Sequence, residues 1–329
     1  MSRLGIVVIG RNEGERLKVC LRSLLGAGPC VYVDSGSSDD SVDFARSLGM
    51  ITVELDLSLP FTAARARNAG VEALLAQYPD LAWVQFVDGD CEVVPGWLAT
   101  AQAALSQNPD WAVVCGRRRE RLPEKSIFNR LCDLEWDTPI GEALACGGDS
   151  LIRLEAFQTV GGFNRTLIAG EEPELCYRLR QDGWRIYRLD AEMTLHDAQM
   201  FSLGQWWRRA ARAGHAFAET TALYPEDLTL GDRKQLRSNV LWGAVLPGLI
   251  GASLLISPWL SLLLLLLYPL YGFKIYHNQR GRNLSPRDAA LYALFCVLGR
   301  FPNLQGQLLY HWNRWRGQRT ALIEYKGGA

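Results

Sequence analysis

The sequence lacks any excess of charge of one sign. Its 329 residues contain 35 lysines plus arginines and 35 aspartates plus glutamates, so the net charge is zero when histidine is neutral. A chain without net charge creates no overall field that would attract a polyanion, and we therefore expect no nucleic-acid partner. Any partner that binds through charge must be recognised by a local cluster of residues.

The sequence also lacks paired cysteines and a signal peptide. Its eight cysteines include no CxxC pair and no Cys/His cluster at zinc spacing, which favours reduced thiols in a cytosolic compartment over a disulfide framework. Cys20, Cys115 and Cys176 are interpreted as small core residues. The first residues contain no apolar stretch of signal-peptide length, so we expect no export.

A glycine-rich dinucleotide motif is absent as well. The first predicted strand ends at Gly10-Arg-Asn-Glu13, which lacks the G-x-G-x-x-G pattern. A nicotinamide oxidoreductase would suit the strand–helix rhythm described next, but the missing pattern counts strongly against it.

Short apolar runs alternate with helical patterns over the first half of the chain. Strands are predicted at residues 6–9, 31–33, 51–54, 83–87, 111–116 and 184–189, and helices at residues 13–25, 41–48, 62–77, 97–107, 126–136 and 171–181. This alternation predicts an α/β fold with a mainly parallel sheet. The charged run at residues 117–121 is interpreted as a solvated loop.

Three polar clusters follow predicted strands. They are Gly10-Arg-Asn-Glu13, Asp34-Ser-Gly-Ser37 and Asp88-Gly-Asp90. In open α/β sheets, ligands bind beyond the carboxyl ends of the strands, so these clusters are the candidate binding residues.

The pair Asp88 and Asp90 is the clearest chemical signal. Two aspartates separated by one residue on an extended chain project toward one site, where close like charges need a cation. Mg²⁺ or Mn²⁺, with a diphosphate supplying further oxygens, is the natural partner. The alternative for this pair is an ordinary Asp-Gly turn. For the polar cluster that follows Asp34, the alternative is that it caps the helix that begins near Ser41.

Four segments resemble the successive signatures of family 2 glycosyltransferases with the GT-A fold. They are Ile9-Gly-Arg-Asn-Glu13, Val33-Asp-Ser-Gly-Ser-Ser-Asp39, Ala66-Arg-Asn-Ala-Gly70 and Val87-Asp-Gly-Asp90, and their order and spacing agree with the family. The resemblance implies that residues 1–200 form a GT-A catalytic domain that binds a nucleotide-sugar, with a Rossmann-like, mixed but mainly parallel sheet, followed by C-terminal membrane helices.

The resemblance also implies roles for individual residues. Asp34 would accept a hydrogen bond from the donor's base, Arg67 would bind the nucleotide, and Asp90 would ligate the metal, roles that suit a carboxylate and a guanidinium. Asp88 would contact the ribose or the metal's water shell. The full predicted nucleotide-sugar-binding set is Ile9, Arg11, Asn12, Glu13, Asp34, Arg67, Asp88, Gly89, Gly148, Asp149 and Arg208.

Glu172 is the candidate catalytic base, because Glu171-Glu-Pro-Glu-Leu175 with Arg178 resembles the family's acidic helix start. The family more often has aspartate at this position. Crowding by neighbouring carboxylates would raise the pKa of Glu172 toward working pH. The alternative is that acids simply favour a helix N-terminus.

Two further sites follow from the resemblance. Gly147-Gly148-Asp149 resembles the glycine turn on the acceptor side, although Asp149 is nearly as well explained as a turn residue. His196 matches a family position that completes the metal or diphosphate site, although a lone histidine is often structural.

Residues 201–238 are predicted to form an amphipathic interfacial region. Gln205-Trp-Trp-Arg-Arg209 loosely resembles the Gln-x-x-Arg-Trp element of processive membrane synthases, but the order differs. We favour tryptophans in the headgroup layer and arginines on lipid phosphates. Arg208 remains a candidate contact for the leaving diphosphate.

Residues 239–329 are predicted to form a membrane hairpin and an amphipathic C-terminal segment. Residues 240–273 contain no Asp, Glu, Lys or Arg, and basic residues flank them on both sides. The run is longer than one crossing needs but short for two, so two short helices in a hairpin are preferred, with a re-entrant hairpin as the alternative. Trp312 and Trp315, with Arg314 and Arg316, indicate a surface-lying segment.

Together these features predict an inverting hexosyltransferase at the inner (cytoplasmic) membrane, with its catalytic domain facing the cytoplasm. The predicted donor is a UDP-sugar, the cofactor is Mn²⁺ or Mg²⁺, and the acceptor is lipid-linked or a polysaccharide. A second copy of the chain is a further candidate partner. The alternative function is a membrane scaffold that binds nucleotide but has weak or no turnover.

Overall fold

The computed structural model describes residues 3–226 and 232–318. The chain divides into two compact units, one formed by residues 1–123 and 135–199 and the other by residues 124–134 and 200–329. Of the segments predicted from the sequence, residues 227–231 and 319–329 lie outside the described residues.

One mixed sheet organises the first unit. Its strands are β1 (Leu4–Gly10), β2 (Cys30–Asp34), β3 (Ile51–Glu54), β4 (Trp83–Asp88), β5 (Cys91–Val93), β6 (Trp111–Glu120), β7 (Gly141–Glu142), β8 (Ser150–Arg153) and β9 (Arg185–His196). Their order is β3-β2-β1-β4-β8-β6-β9-β5, and β7 also pairs with β9. Strands β3, β2, β1 and β4 run parallel, β8 is antiparallel to both of its neighbours, and β9 is parallel to β6.

Helices connect and follow these strands. In chain order they are α1 (Glu15–Ser23), α2 (Ser41–Ser47), α3 (Ala63–Gln77), α4 (Trp97–Gln107), α5 (Ile127–Glu135), α6 (Leu154–Thr159), α7 (Glu171–Gln181), α8 (Leu203–Leu223), α9 (Asp232–Val240), α10 (Leu246–Ser253), α11 (Pro258–Leu265), α12 (Leu267–Gly281), α13 (Pro286–Leu298) and α14 (Arg300–Trp315). A 3₁₀ turn spans Pro123–Lys125, and a π-helical turn, Leu241–Val245, joins α9 to α10.

The sheet is buried on both faces. Two hydrophobic clusters cover it, one around Leu21 and Trp97 and the other around Phe86 and Leu175. Strands covered on both sides must be apolar at nearly every position, which is why β1, β2 and β4 are continuous apolar runs rather than alternating patterns. The one polar side chain inside β4, Gln85, is fully buried and accepts a hydrogen bond from the Trp97 indole at 3.0 Å.

The predicted α/β architecture with a mixed sheet is confirmed, but residues 117–121 were wrongly interpreted as a solvated loop. Strand β6 continues to Glu120 and pairs with β9, so that Arg117 lies opposite Glu192. Arg117 and Glu120 are buried. Charged residues are expected in loops, but here pairing with β9 keeps the chain extended and turns some of these side chains inward. Strands β5, β7 and β8 lie outside the six strands predicted from the sequence.

The second unit is helical in its described residues. Helix α8 begins with a capping box between Ser202 and Gln205, an arrangement that satisfies amide groups left free at a helix start. Trp206 is buried and packs edge-on against Phe295 at 4.9 Å, whereas Trp207 is exposed. The prediction that both tryptophans lie in a lipid headgroup layer is therefore wrong for Trp206, because its side chain is buried. For Trp207 it stays a prediction.

The uncharged segment folds as a helical hairpin. One arm consists of the end of α9, the π-helical turn and α10, the chain reverses at residues 254–257, and α11 and α12 form the other arm. Among the described residues, one helical stretch, Pro258–Gly281, is long and apolar enough to cross a membrane by length and composition, and most of it is exposed. The number of membrane crossings stays a prediction.

Candidate active site

Three loops meet at the carboxyl ends of β2, β1 and β4. At the end of β1, Gly10 pairs with Asp34 of β2, and Ile9 pairs with Asp88 of β4 on the other side of the strand. The polar clusters that follow these three strands are therefore neighbours. The amide of Gly89 donates to the carbonyl of Ile9 at 2.8 Å. The topology thus brings together the three clusters recognised in the sequence.

Hydrogen bonds tie the first two loops to each other. The Asn12 carboxamide oxygen accepts from the Ser38 amide at 2.7 Å, and the Asn12 amide donates to the Ser37 hydroxyl at 2.9 Å. Asn12 has a φ of 53°, a left-handed conformation that asparagine tolerates better than most residues. These hydrogen bonds fix the conformation of the loop after β1, although the loop has no glycine-rich motif.

Asp34 organises its own loop. Its carboxylate accepts hydrogen bonds from the amides of Gly36 and Ser37, both at 2.8 Å, from the Tyr32 hydroxyl at 2.9 Å, and from the Ser37 hydroxyl. Four donors occupy about all four acceptor positions of a carboxylate. The predicted contact of Asp34 with a base stays a prediction, and it requires the Ser37 hydroxyl, which can rotate, to release one of these positions.

Arg67 is buried in α3, where its guanidinium holds three carboxylates. It contacts Asp88 at 2.9 Å, Glu171 at 2.9 Å and Glu172 at 3.0 Å. These negative charges raise the pKa of Arg67 above its ordinary value although burial opposes them. Its predicted role on the nucleotide stays a prediction, and in this structure it joins the end of β4 to the start of α7.

A second arginine, Arg118, holds the other side of Asp88. Its guanidinium lies 3.0 Å from the Asp149 carboxylate and 3.4 Å from that of Asp88. Asp149 is fully buried and also accepts from the Asp88 amide at 2.9 Å and from the Thr194 hydroxyl at 2.7 Å. Asp149 is therefore a buried link between strands rather than an exposed turn residue.

Asp90 and His196 form a buried pair. The Asp90 carboxylate lies 3.2 Å from Nε2 of His196, because Cys91 in β5 is paired with His196 at the end of β9. On its other side, Nδ1 of His196 lies 3.8 Å from the Glu120 carboxylate. The structure thus brings together the two residues predicted to hold a metal ion.

This pair fits a divalent ion. Two neighbouring ligands of an octahedral Mg²⁺ or Mn²⁺, each about 2.1 Å from the ion, lie about 3.0 Å apart, close to the 3.2 Å between Asp90 and His196. Asp90, Cys91 and His196 offer ligand atoms within 4.8 Å of one another. The hard oxygen and imidazole ligands are the ones such ions use.

The charge around the pair also favours a cation. Five carboxylates, those of Asp88, Asp90, Asp149, Glu171 and Glu172, share this part of the unit with the guanidinium groups of Arg67 and Arg118. Close like charges at partly buried positions repel one another unless a counter-ion is present. The acidic excess therefore complements a bound divalent ion.

Glu172 lies in the first turn of α7. Burial, and next the neighbouring charge of Glu171, raise the pKa of Glu172 to about 7, although the contact with Arg67 opposes the shift. A carboxyl group with a pKa near neutrality can both take up and release a proton at physiological pH. A raised pKa of this kind was predicted for Glu172 as a base, and its role in catalysis stays a prediction.

Glycine is required at position 148. A Cβ there would lie 2.6 Å from the Arg67 guanidinium and 2.6 Å from the Asp88 carboxylate. The backbone at Gly148 thus lies directly against this ion pair, which no other residue type would permit without displacing it.

The remaining predicted residues have different surroundings. Glu13 pairs with Arg16 at 2.7 Å, and the Arg11 guanidinium lies over the Phe61 ring at 4.6 Å. Arg208 is exposed on α8, in the second unit. Its role on the diphosphate stays a prediction.

Sequence reasoning missed Arg118, Glu120 and Thr194. All three are on β6 or β9 and contact predicted site residues. Residues 117–120 are Arg-Arg-Arg-Glu and show no alternation of apolar and polar side chains, so no local pattern indicated a strand there. Thr194 lies beyond the end of the strand predicted at residues 184–189.

The chain matches a known protein family over nearly half its length. Residues 5–157 match the family described as "Glycosyl transferase family 2". Two curated proteins named "Pre-mycofactocin glycosyltransferase", from Mycobacterium tuberculosis strains CDC 1551 / Oshkosh and ATCC 25618 / H37Rv, are each 27% identical to it over 236 residues. The alignments cover 67% of this chain and 48% of each relative, so the chain spans about half the length of the curated relatives it matches.

Solved structures share the fold. The mannosyltransferase PcManGT from Pyrobaculum calidifontis, in complex with GDP-Man and Mn²⁺, superposes with a TM-score of 0.65 at 15% identity and covers 95% of this chain and 88% of its own. S. aureus TarS 1-349 has a TM-score of 0.52 at 14% identity, with 97% and 92% coverage. These likenesses establish the predicted GT-A fold.

Proposed function

Because residues 5–157 match the family described as "Glycosyl transferase family 2" and the chain has the GT-A fold, we propose that this chain transfers a sugar from a nucleotide-diphosphate sugar to an acceptor. The reaction is metal-dependent and inverts the anomeric carbon, as the family resemblance implies. The proposal includes a UDP-sugar as donor and a lipid-linked or polysaccharide acceptor at the cytoplasmic face of a membrane.

One observation carries the proposal. The Asp90–His196 pair, 3.2 Å apart, lies in a cluster with more carboxylates than guanidinium groups, at the carboxyl ends of the strands. A divalent ion bound there would supply positive charge that stabilises a departing diphosphate. Asp90 and His196 would hold it, and Asp88, fixed by Arg67 and Arg118, would remain available to the donor or to water around the ion.

Glu172 supplies the proton acceptor. Its carboxylate takes the proton of the acceptor hydroxyl as that oxygen attacks the sugar, and its pKa of about 7 suits the task. Arg67 contacts both Glu172 and Asp88. This guanidinium therefore fixes the distance between the base and the donor-side aspartate, which is the positioning that a displacement reaction needs.

The nucleotide of the donor and the class of acceptor are proposed from two further features. A uracil imide would suit the carboxylate of Asp34, but the most similar fold named above was solved with GDP-Man, so guanine donors belong in the test. A membrane-bound acceptor is supported by the uncharged run at residues 240–273. Membrane attachment would bring a lipid-linked substrate to the enzyme.

A screen of nucleotide-sugar hydrolysis by the purified chain tests the function. UDP- and GDP-sugars are incubated with Mn²⁺ or Mg²⁺, and nucleotide release is measured for wild type and for Asp90→Asn and Glu172→Gln. We expect each substitution to lower the rate by about 100-fold or more. Asp43→Asn and Glu15→Gln are matched controls, because both residues are exposed acids of the first unit, and they should retain wild-type rates.

Two outcomes contradict the proposal. Equal rates in Asp90→Asn and wild type would reject the metal site. Nucleotide binding without release of sugar, with every donor and with cell-extract lipids and polysaccharides supplied as acceptors, would favour the nucleotide-binding scaffold instead.

A further inference from the structure

The turn of the helical hairpin is the most exposed apolar part of the described chain. Leu255 is 91% exposed, Ile256 79% and Trp259 76%. Most leucines of α11 and α12 are exposed as well. A continuous apolar surface of this kind marks a site of interaction with another protein or with a membrane.

The polar groups of the hairpin are directed inward. The hydroxyls of Ser253 and Ser261 share a hydrogen bond of 2.7 Å across the two arms, and Ser261 also donates to the Ile250 carbonyl at 3.2 Å. The chain reversal is hydrogen-bonded too, because the amides of Ile256 and Ser257 donate to the Ser253 carbonyl at 2.9 and 2.8 Å. These amides and hydroxyls are thus hydrogen-bonded within the hairpin, which lowers the free-energy cost of placing this part of the chain in hydrocarbon.

The opposite end of the hairpin carries aromatic and basic residues. Trp242 stacks on Tyr271 at 4.3 Å and accepts a hydrogen bond from the Tyr268 hydroxyl at 2.6 Å through its carbonyl. Basic residues flank these aromatic residues in sequence: Arg237 precedes Trp242 on the first arm, and Lys274 follows Tyr271 on the second. Tryptophan and tyrosine prefer the membrane interface, and basic residues prefer anionic headgroups. The hairpin has such a belt at one end and an uncharged, mainly apolar turn at the other.

The arms are too short to cross a bilayer without burying charge. The uncharged part of the first arm, residues 238–253, has 16 residues and a helical length of about 24 Å. The uncharged part of the second arm, residues 258–273, has 16 residues and a length of about 24 Å. A hydrocarbon core is about 30 Å thick. The helical stretch Pro258–Gly281 reaches that length only by including Lys274.

We propose that residues 240–273 form a re-entrant hairpin, which enters a bilayer from one face and returns to that same face. The turn at residues 254–257 lies within the hydrocarbon, and the basic ends of both arms lie among anionic headgroups. This inference rests on the membrane attachment included in the proposed function, but not on glycosyl transfer, and it selects the alternative topology over two complete crossings.

Cysteine accessibility tests the topology in intact membranes. Ile256→Cys is expressed in the full chain, and a membrane-impermeant maleimide is applied to spheroplasts and to inverted membrane vesicles, with wild type as the background for the native cysteines. Asp43→Cys marks the face on which the first unit lies, because Asp43 is exposed. We expect Cys labelling at position 256 only after detergent is added.

Each other pattern overturns the proposal. Labelling at position 256 from the face opposite to position 43 would show two complete crossings. Labelling from the same face without detergent would show that the turn stays in water.

A charged turn provides a second measurement. We expect Leu255→Glu to weaken binding of the purified chain to vesicles of phosphatidylcholine and phosphatidylglycerol by at least about tenfold, because a charge in hydrocarbon is costly. Leu25→Glu is the matched control, since Leu25 is an exposed leucine of the first unit. Unchanged binding of Leu255→Glu would contradict the proposal.

The two proposals fail separately. Leu255→Glu in detergent should keep wild-type donor hydrolysis, and Asp90→Asn should keep the wild-type labelling pattern at position 256. Wild-type hydrolysis in Asp90→Asn would therefore contradict only the proposed glycosyltransferase site. An unexpected labelling pattern at position 256 would contradict only the proposed hairpin topology.

Discussion

Gly148 shows how a single missing side chain sets the geometry of the charged cluster. Gly148→Ala would place a Cβ 2.6 Å from both the Arg67 guanidinium and the Asp88 carboxylate. The pair must then shift, and a displacement of about 1 Å at a reacting site can cost about 100-fold in rate. We expect that loss in kcat/KM for donor hydrolysis.

Gly147→Ala is the matched control for this prediction. Its Cβ would have Arg118 as its nearest neighbour, at an ordinary 3.7 Å. We expect near-wild-type kcat/KM, and a loss equal to that of Gly148→Ala would indicate a general effect of the turn rather than of the ion pair.

Glu172 determines the expected pH dependence of the reaction. A general base acts in its ionised form, and its pKa is raised to about 7 by burial and by Glu171. We expect kcat/KM to rise about tenfold per pH unit below pH 7 and to level off above it. A pH–rate profile measures this, and a profile that is flat between pH 5 and 8 would exclude Glu172 as the base.

The same pKa shift predicts the pH dependence of stability. Between the model-compound value of 4.5 and about 7, the folded state holds a proton on Glu172 that the unfolded state has released. Stability therefore falls as pH rises through this window. Glutamine does not titrate, so the stability of Glu172→Gln should lack this fall. We expect its free energy of unfolding, measured with urea, to increase relative to that of wild type by on the order of 2 kcal/mol from pH 5 to pH 8. A constant difference across this range would contradict the shift.

At the scale of elements, Arg178 pairs with an acid of its own helix, α7, and hydrogen-bonds α7 to the turn at residues 160–162. Arg178 contacts both oxygens of the fully buried Glu174, at 2.8 and 2.7 Å, and donates to the carbonyls of Val160 and Gly162. The acids of the first turn of α7 thus have specific partners. Attraction to the helix N-terminus is not their sole explanation.

Removal of this arginine should destabilise the first unit. Arg178→Met leaves the Glu174 carboxylate buried without its guanidinium, which typically costs about 3–5 kcal/mol. We expect a lower thermal midpoint in calorimetry, partly restored by Glu174→Gln in the same chain. Arg46→Met, which removes exposed pairs with Asp43 and Glu54, is the control and should cost less than about 1 kcal/mol. Equal losses of stability in Arg178→Met and Arg46→Met would show that the buried ion pair stabilises the protein no more than the exposed pairs do.

At the scale of the whole molecule, a bound ion should stabilise the first unit by mass action. A ligand at 100 times its Kd adds about 2.7 kcal/mol to the stability of the state that binds it. We therefore expect Mn²⁺ with UDP to raise the thermal midpoint of wild type and to have little effect on Asp90→Asn. The same increase in both proteins would show that the ion binds elsewhere.

The sequence by itself determined the fold class and the three loops of the site. Strands buried on both faces must be apolar at almost every position, so β1, β2 and β4 could be recognised from short runs alone. The polar residues after them then follow from strand direction, because parallel strands end at one edge. Asp34, Asp88 and Asp90 were predicted in this way, and all three lie within residues 5–157, which match the family.

The tertiary structure decided which of these residues contact one another. Arg67 is 104 positions from Glu171, and Asp90 is 106 positions from His196, so no local pattern could pair them. The run at residues 117–120 is charged and was predicted to be solvated, yet pairing with β9 makes it a strand and directs Arg118 toward Asp149. Side-chain burial there depends on a strand that lies some 70 residues away in sequence, and only folding brings the two together.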